Sequence, residues 1–314
     1  GECGSCKCRL DEGKVKDLGS VPGTLSPEEI ADGWILPCRT IAKTDVHLSV
    51  PGVLGAPPPV LQKLEGEIID LQKVAPDIIR LWIEPPAPFL FHAGQFVELQ
   101  FHGQPKRSYS PANKPGAAVL EFFVKIVPDG FVSTYLAGEA KPGSKVRIEG
   151  PFGTASLSAP PDRPVLFAAG GTGLAPCLSM IRYLANTSPD TACVLYAGAC
   201  KACDLFAEDA LESVQWMMPG LKVVNVLSGE TDPRYETGFI APNIQKSHET
   251  LAGWTAFIAG PPPMVESVRK TVLNMGIDAG DTYSDPFTAA VPPSALTRAV
   301  NSLRRFASAG SMRG

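Results

Sequence analysis

The spacing of apolar and polar positions changes from one region of the chain to the next. In residues 61–158 the runs KLEGEIIDLQKV, IIRLWIE, GQFVELQF, VLEFFVKIV and KVRIEG alternate or stay apolar, with Gly- and Pro-rich turns between them. Strand follows strand there without an intervening helical period, which predicts a small antiparallel β-barrel. In residues 159–287 the runs PVLFAAGG, ACVLYAG and WTAFIAG each lead into a helical pattern, and KVVNVLSG adds a further strand. That alternation predicts a doubly wound α/β unit with a parallel sheet. Residues 1–50 are different again: a cysteine loop, a helical signal in SPEEIADG, and VHLSVPG (residues 46–52), which alternates like a closing strand. The segment PGVLGAPPPV (51–60) reads as a semi-rigid linker, and 288–314 follow as a tail. In that tail Leu296, Val300 and Leu303 share a helical face ringed by Arg298, Arg304 and Arg305, a pattern that suits an acidic partner, an anionic membrane surface or a peripheral extension. We find no internal repeat.

With 314 residues and 44% hydrophobic content the chain is long enough for several buried cores. No window approaches the roughly 18 unbroken apolar residues that cross a membrane. A net charge of −4, and no stripe of Lys and Arg interleaved with aromatics in residues 1–287, argue against nucleic acid as a partner. Proline (31) and glycine (30) are both abundant, but they sit at turns and in the linker and so punctuate folded units. The eight cysteines lack the spacing of a secreted disulfide scaffold, so a reducing, cytoplasmic setting is expected.

The strongest local signal is PVLFAAGGTGLAPCLSMIRYLA, in which an apolar strand runs into Gly170-Gly171-Thr172-Gly173 and a helix opens near Leu174. Glycines let a backbone approach a pyrophosphate, and the helix N-terminus offers N–H groups and the positive end of a dipole. A Gly-rich turn also has purely steric uses, and the spacing departs from G-x-G-x-x-G. At the other end of the chain Cys3-x2-Cys6 sits among glycine and serine, as a metal or iron–sulfur loop would, with Cys38 in ILPCRT as a third thiol. A zinc site would want a second close pair, which Cys38 alone does not supply. Cys8 reads as a buried or half-exposed thiol. Cys200-x2-Cys203 reads as two small packing thiols or, alternatively, as a redox pair.

Four stretches in this order, KRSYSPAN, EGPFGTASL, GGTGLAP and FIAGPPPMVESV, strongly resemble the ferredoxin–NAD(P) reductase superfamily of flavoproteins over residues 61–287. The resemblance implies an FAD-binding barrel at 61–158 and an NAD(P)-binding α/β domain at 159–287. It assigns Arg107, Ser108, Tyr109 and Ser110 to flavin, with Arg107 on a phosphate, Tyr109 against the isoalloxazine and Ser110 near the reactive N5. GFVSTYL then resembles a second flavin-phosphate turn carried by Gly130, Val132 and Ser133. GPPPM, with Gly260, Pro261, Pro262 and Met264, resembles the turn over which nicotinamide docks. Ala259 stands where efficient relatives often carry Cys. YSDPF offers Asp285 and Phe287 at the family's spacing for an acidic residue and an aromatic that covers the flavin. Ser110, Asp285 and Phe287 are therefore the expected catalytic set.

Residues 1–50 look like the latter half of a plant-type [2Fe–2S] ferredoxin, a partial β-grasp segment, with Cys3, Cys6 and Cys38 as ligands. The first ligand is expected five residues ahead of Cys3. A nicotinamide site, a flavin and a one-electron cluster together imply a two-to-one electron converter. Ferredoxin first, flavin second and nucleotide third resembles the reductase components of multicomponent aromatic-ring dioxygenases and soluble monooxygenases, the naphthalene-dioxygenase type in particular. The electrons are then expected to reach an oxygenase or a separate ferredoxin. A similar reductase serving deoxysugar or other non-oxygenase chemistry, or a non-enzymatic ferredoxin-type carrier, is the alternative. Cys200 in place of an Arg, together with Glu230, favours NADH, whereas Lys201 would suit NADPH.

Overall fold

A computed structural model of the chain describes residues 6–19, 24–49 and 59–287. Cys3, most of the linker and the tail with its Leu296, Val300 and Leu303 stripe lie outside the described residues.

The N-terminal segment is built from short strands. β1 (Cys8–Glu12) lies between β3 (Trp34–Ile35) and β5 (His47–Ser49), and β2 (Val15–Asp17) pairs with β4 (Thr40–Ala42), all antiparallel. The helical signal in SPEEIADG becomes α1 (Pro27–Ala31). Ser26 is its N-cap: its Oγ accepts from Glu29 N at 3.1 Å, and Glu29 Oε2 accepts from Ser26 N at 2.7 Å. With Pro27 opening the first turn, that reciprocal cap sets where the helix begins.

Residues 62–152 form a six-stranded antiparallel sheet in the order β10-β7-β6-β11-β8-β9. Its strands are β6 (Gln62–Ala75), β7 (Ile78–Glu84), β8 (Phe96–Phe101), β9 (Arg107–Tyr109), β10 (Leu120–Lys125) and β11 (Lys145–Phe152). The 14-residue β6 shifts register against β7 between Ile68 and Asp70 and again between Lys73 and Ala75. Irregularities of this kind strengthen the local twist and let a sheet curl. β9 and β10 come side by side, so the curl is nearly closed. Ile68, Leu81, Ile83, Leu99, Phe122 and Ile148 fill the interior. The GFVSTYL stretch, expected as a turn, is a turn that runs straight into α2 (Phe131–Gly138). Val132 and Leu136, one helical turn apart, put this helix into the barrel core.

The remaining sheet is parallel throughout, in the order β15-β14-β13-β12-β16-β17. Its elements in chain order are β12 (Val165–Gly170), α3 (Leu174–Thr187), β13 (Cys193–Ala199), α4 (Glu208–Met217), β14 (Leu221–Leu227), β15 (Glu236–Thr237), α5 (Ile240–Ser247), β16 (Thr255–Gly260), α6 (Pro262–Asn274) and β17 (Thr282–Pro286). Side chains of β12 alternate between the two faces. Val165, Phe167 and Ala169 pack with α3 and α4, whereas Leu166 and Ala168 pack with α5 and α6. The first of these cores also takes in Ala75, Ile78, Ala93, Ala112, Phe123 and Leu157 from the barrel side. The sheet's α3–α4 face and the barrel are thus closed by one continuous apolar core. Among the described residues no helix is long and apolar enough to cross a membrane.

Candidate functional site

Strand order reverses between β12 and β16, and the two glycine turns leave the sheet on either side of that point. Crevices at the carboxyl ends of strands, where the winding changes direction, are where open α/β sheets bind ligands. The Gly170–Gly173 turn and the Gly260–Met264 turn interlock. A Cβ on Gly173 would stand 2.1 Å from Ala259 O and 2.8 Å from Gly260 N. Gly260, at φ +139°, would likewise drive a Cβ to 2.7 Å from Gly170 O. These glycines are explained by close backbone approach. Gly171 is different: its φ is +53°, and a Cβ there would meet nothing within 4 Å. It borders open space in front of the first turn of α3, where N–H groups have no intrahelical partner and anions are favoured. Thr172 lies within the same turn.

The end of β17 joins this constellation. Asp285 pairs with Ala259 in the ladder and Pro286 with Gly260, and Phe287 N donates to Gly260 O at 2.8 Å. YSDPF is therefore the end of an edge strand delivered to the glycine turns. Burial pushes the Asp285 carboxyl up to about 6. Burial also raises the thiol of nearby Cys177, with Asp285 adding to the shift. The sign of the linkage follows. A carboxyl whose folded value exceeds its unfolded one contributes stability that is complete below pH ~4 and is lost as pH rises through ~6. Asp285→Asn should consequently raise stability at pH 7.5 by on the order of 2 kcal/mol and lose that advantage near pH 4. Melting temperatures of both proteins across pH 4–8 check this, and a constant difference would rule it out.

On the barrel side, Arg107, Ser108 and Tyr109 form the edge strand β9, in register with Leu99, Glu98 and Val97. Tyr109 packs against the barrel core, and burial pushes its hydroxyl well up, so it stays protonated. Ser110 follows as a buried hydroxyl. Arg107 donates from Nη1 to Lys106 O at 2.8 Å and makes no ion pair among the described residues, whereas Arg80, Arg163, Arg182 and Arg234 each face a carboxylate. An anion is the partner that would satisfy it. Gly130 is held by its turn, because a Cβ would meet Ser133 Oγ at 2.5 Å and Val127 O at 2.9 Å. The Ser133 hydroxyl closes that turn: it accepts from Val127 N at 3.1 Å and lies 3.1 Å from Val127 O. Backbone N–H groups at the start of α2 are what this stretch offers a phosphate. An arginine without an ion pair among the described residues, a half-buried tyrosine and a helix start on one barrel are a donor set that fits a dinucleotide flavin.

The KRSYSPAN stretch and the helix that follows the GGTG turn meet at one interface. Ser179 Oγ, on α3, donates to Asn113 O at 2.7 Å, and Arg182 Nη1 donates to Ala112 O at 2.9 Å. Ala112 and Asn113 follow directly on SYSP. A separate depression of about 400 Å³ lies on the outer face of the barrel, lined by Lys63, Glu98, Lys106, Arg147 and Glu149. Lys106 pairs there with Glu98 and Glu149, and Lys63 with Glu149, so its charges are mutually spent.

Of the expected cluster ligands, the structure brings together Cys6 and Cys38, with Sγ atoms 3.2 Å apart, while Cys3 lies outside the described residues. Two thiolates ~2.3 Å from one tetrahedral metal stand about 3.7 Å apart, a spacing that a small side-chain rotation provides. The pair fits one iron. Cys8 is buried, with its thiol pushed up by desolvation. Cys200 and Cys203, expected as packing thiols, are both exposed, although Cys200 Sγ does abut Gly229. What the sequence reading missed is the polar network around Glu121 and Arg182; its one signal was a carboxylate inside the apolar run VLEFFVKIV.

Models of three known families match in sequence: a 2Fe-2S iron-sulfur cluster binding domain over residues 1–43, an oxidoreductase FAD-binding domain over 65–157 and an oxidoreductase NAD-binding domain over 167–270. The chain is 34% identical to the ferredoxin–NAD(P)+ reductase component of the naphthalene 1,2-dioxygenase/salicylate 5-hydroxylase systems of Ralstonia, over 91% of this chain and 87% of that one. It is 31% identical to the corresponding component of the naphthalene 1,2-dioxygenase system of Pseudomonas putida, with the same coverage. Among solved structures, the Amycolatopsis cytochrome P450 reductase GcoB superposes with a TM-score of 0.77 at 32% identity, over 92% of this chain and 89% of that one.

Proposed function

Because this chain belongs to the family of ferredoxin–NAD(P)+ reductase components, iron–sulfur flavoproteins that deliver electrons to oxygenases, we propose that it takes hydride from NADH and passes single electrons to an oxygenase or an intermediary ferredoxin. FAD, when bound, accepts an electron pair and releases electrons singly, and a [2Fe–2S] cluster carries them one at a time. Everything else is the work of this chain's residues. Arg107 and the start of α2 hold flavin phosphate, Tyr109 lies along the ring system and Ser110 offers a hydroxyl at its reactive edge. Gly170, Gly171, Thr172 and Gly173 receive the nucleotide pyrophosphate at the start of α3. Gly260, Pro261, Pro262 and Met264 form the floor for nicotinamide, while Asp285 and Phe287 close the site from the sheet edge. Cys6 and Cys38, with Cys3, hold the cluster. The observation that carries this reading is the meeting of two motifs, with α3 gripping the residues that follow the flavin strand. Cysteine spacing unlike a secreted disulfide scaffold supports a reducing, cytoplasmic setting.

The preference for NADH rests on the end of β14. Glu230 Oε1 accepts from Ala202 N at 2.5 Å, placing a carboxylate beside the end of β13. Acidic groups there suit a free ribose hydroxyl and repel a 2′-phosphate. A cation of the loop after β14, Arg234, is occupied: its Nε and Nη2 bond Asp232 at 3.0 and 2.7 Å, and its guanidinium lies over the Tyr235 ring. Asp232→Asn should release it and raise kcat/KM for NADPH relative to NADH about tenfold. An unchanged ratio would reject this account of cofactor choice.

The test of the function as a whole is an absorbance titration of the purified protein. NADH should bleach a flavin band near-stoichiometrically, and ferricyanide or a one-electron protein acceptor should restore it. A colourless protein, or one indifferent to both nucleotides, would overturn the proposal.

A further inference from the structure

We propose that Glu121, acting through Arg182 and Arg80, is a positioning residue that sets how the nucleotide turn faces the flavin strand. The inference rests on reading those two motifs as the cofactor sites. Glu121 is 6% exposed, the second residue of the strand LEFFVK. Its Oε1 accepts from Arg80 Nε at 2.7 Å and its Oε2 from Arg182 Nη1 at 2.5 Å. Arg80 reaches on to Asp209 Oδ2 at 2.7 Å. Arg80 and Glu121 belong to β7 and β10 of the barrel, Arg182 and Asp209 to α3 and α4 of the α/β unit, so this chain of charges crosses from one to the other.

The network also ties down the end of the flavin motif. Glu121 N donates to Asn113 Oδ1 at 2.8 Å, and Glu121 O accepts from Ala112 N at 2.7 Å. From the opposite side, Ser179 and Arg182 bond the carbonyls of Asn113 and Ala112. Two residues before Ala112 is Ser110, and one turn before Ser179 the helix starts at the glycine turn. Polar contacts thus tie the chain just after Ser110 to the helix that begins after Gly173.

The surrounding interface is apolar, with Phe123 and Phe206 ring centroids 4.9 Å apart and Ala112 and Leu178 in one core. Apolar contact is non-directional and leaves two surfaces free to slip. Burying a carboxylate and two guanidinia there gives little stability over well-packed apolar side chains. What charge-assisted bonds add is geometry. Hydride transfer depends on that geometry, since a misplacement of about 1 Å costs on the order of 100-fold.

The experiment uses the full chain with FAD bound, comparing Glu121→Gln and Ser179→Ala with the unmodified protein. FAD content, the NADH dissociation constant, the flavin bleaching rate at saturating NADH and the isotope effect with NADH deuterated at nicotinamide C4 are measured. The bleaching rate should fall about tenfold in Glu121→Gln and about threefold in Ser179→Ala, with a larger isotope effect and with FAD content and NADH affinity within about twofold. Bleaching within about twofold of the unmodified rate, or a loss that tracks weaker NADH binding, overturns the proposal. If Glu121→Gln does not fold, Ser179→Ala decides. A parent protein that NADH does not bleach would sink the cofactor-site reading instead, so the two failures are separable.

Discussion

Gly173→Ala is expected to slow flavin reduction by NADH about 100-fold or more while leaving FAD in place. The methyl group would arrive 2.1 Å from Ala259 O, and both partners are backbone, so neither can rotate away. The turn must retreat by about 1 Å or the β16 end must yield. Either displacement moves the N–H groups proposed to meet phosphate against the proposed nicotinamide floor, a misalignment to which hydride transfer is sensitive. The barrel does not contribute to that contact, so the flavin-to-protein absorbance ratio should stay at the parental value. Stopped-flow bleaching at saturating NADH reads the effect. A folded Gly173→Ala protein that bleaches at the parental rate would show that the interlock of the two turns is irrelevant to the reaction.

Arg107→Ala should weaken FAD retention about 10–100-fold, the range of one charge-assisted hydrogen bond to phosphate. The reason is the arginine's isolation. Among the described residues five other guanidinia pair with carboxylates, and Arg107 donates only to its neighbour's carbonyl. Removing it costs the fold no ion pair, so any loss should appear as flavin release with little change in the melting temperature of the apoprotein. Arg107→Lys should recover only part, because a lysine lacks the planar fork. Fluorescence titration of apoprotein with FAD distinguishes these cases, and equal affinity for all three proteins would withdraw Arg107 from the flavin site.

Much of this was legible in the residues because the signals are local. Alternation and Gly/Pro punctuation announced the barrel, and an apolar strand followed by GGTG announced the α/β unit and its first turn. The resemblance then connected motifs far apart in sequence, as no periodicity can. What escaped was long-range or dual in purpose. Spacing alone does not announce that the Ser133 hydroxyl closes its own turn. Gly173 looked like a pyrophosphate glycine, and its more stringent demand comes from Ala259, 86 residues away by number. Glu121 and Arg182 each read as single charges inside apolar runs, and only the packing of α3 on the barrel makes them partners.

The core shared by the barrel and the α3–α4 face of the sheet has a consequence for modularity. Residues of 6–49 take no part in it among those described, whereas Ala112, Phe123, Phe167 and Leu178 sit together within it. Among the described residues, the electron carrier is thus separable from that core. The flavin and nucleotide halves are not: cutting or shuffling between them would open a hydrophobic seam, so they melt together and must be inherited as a matched pair.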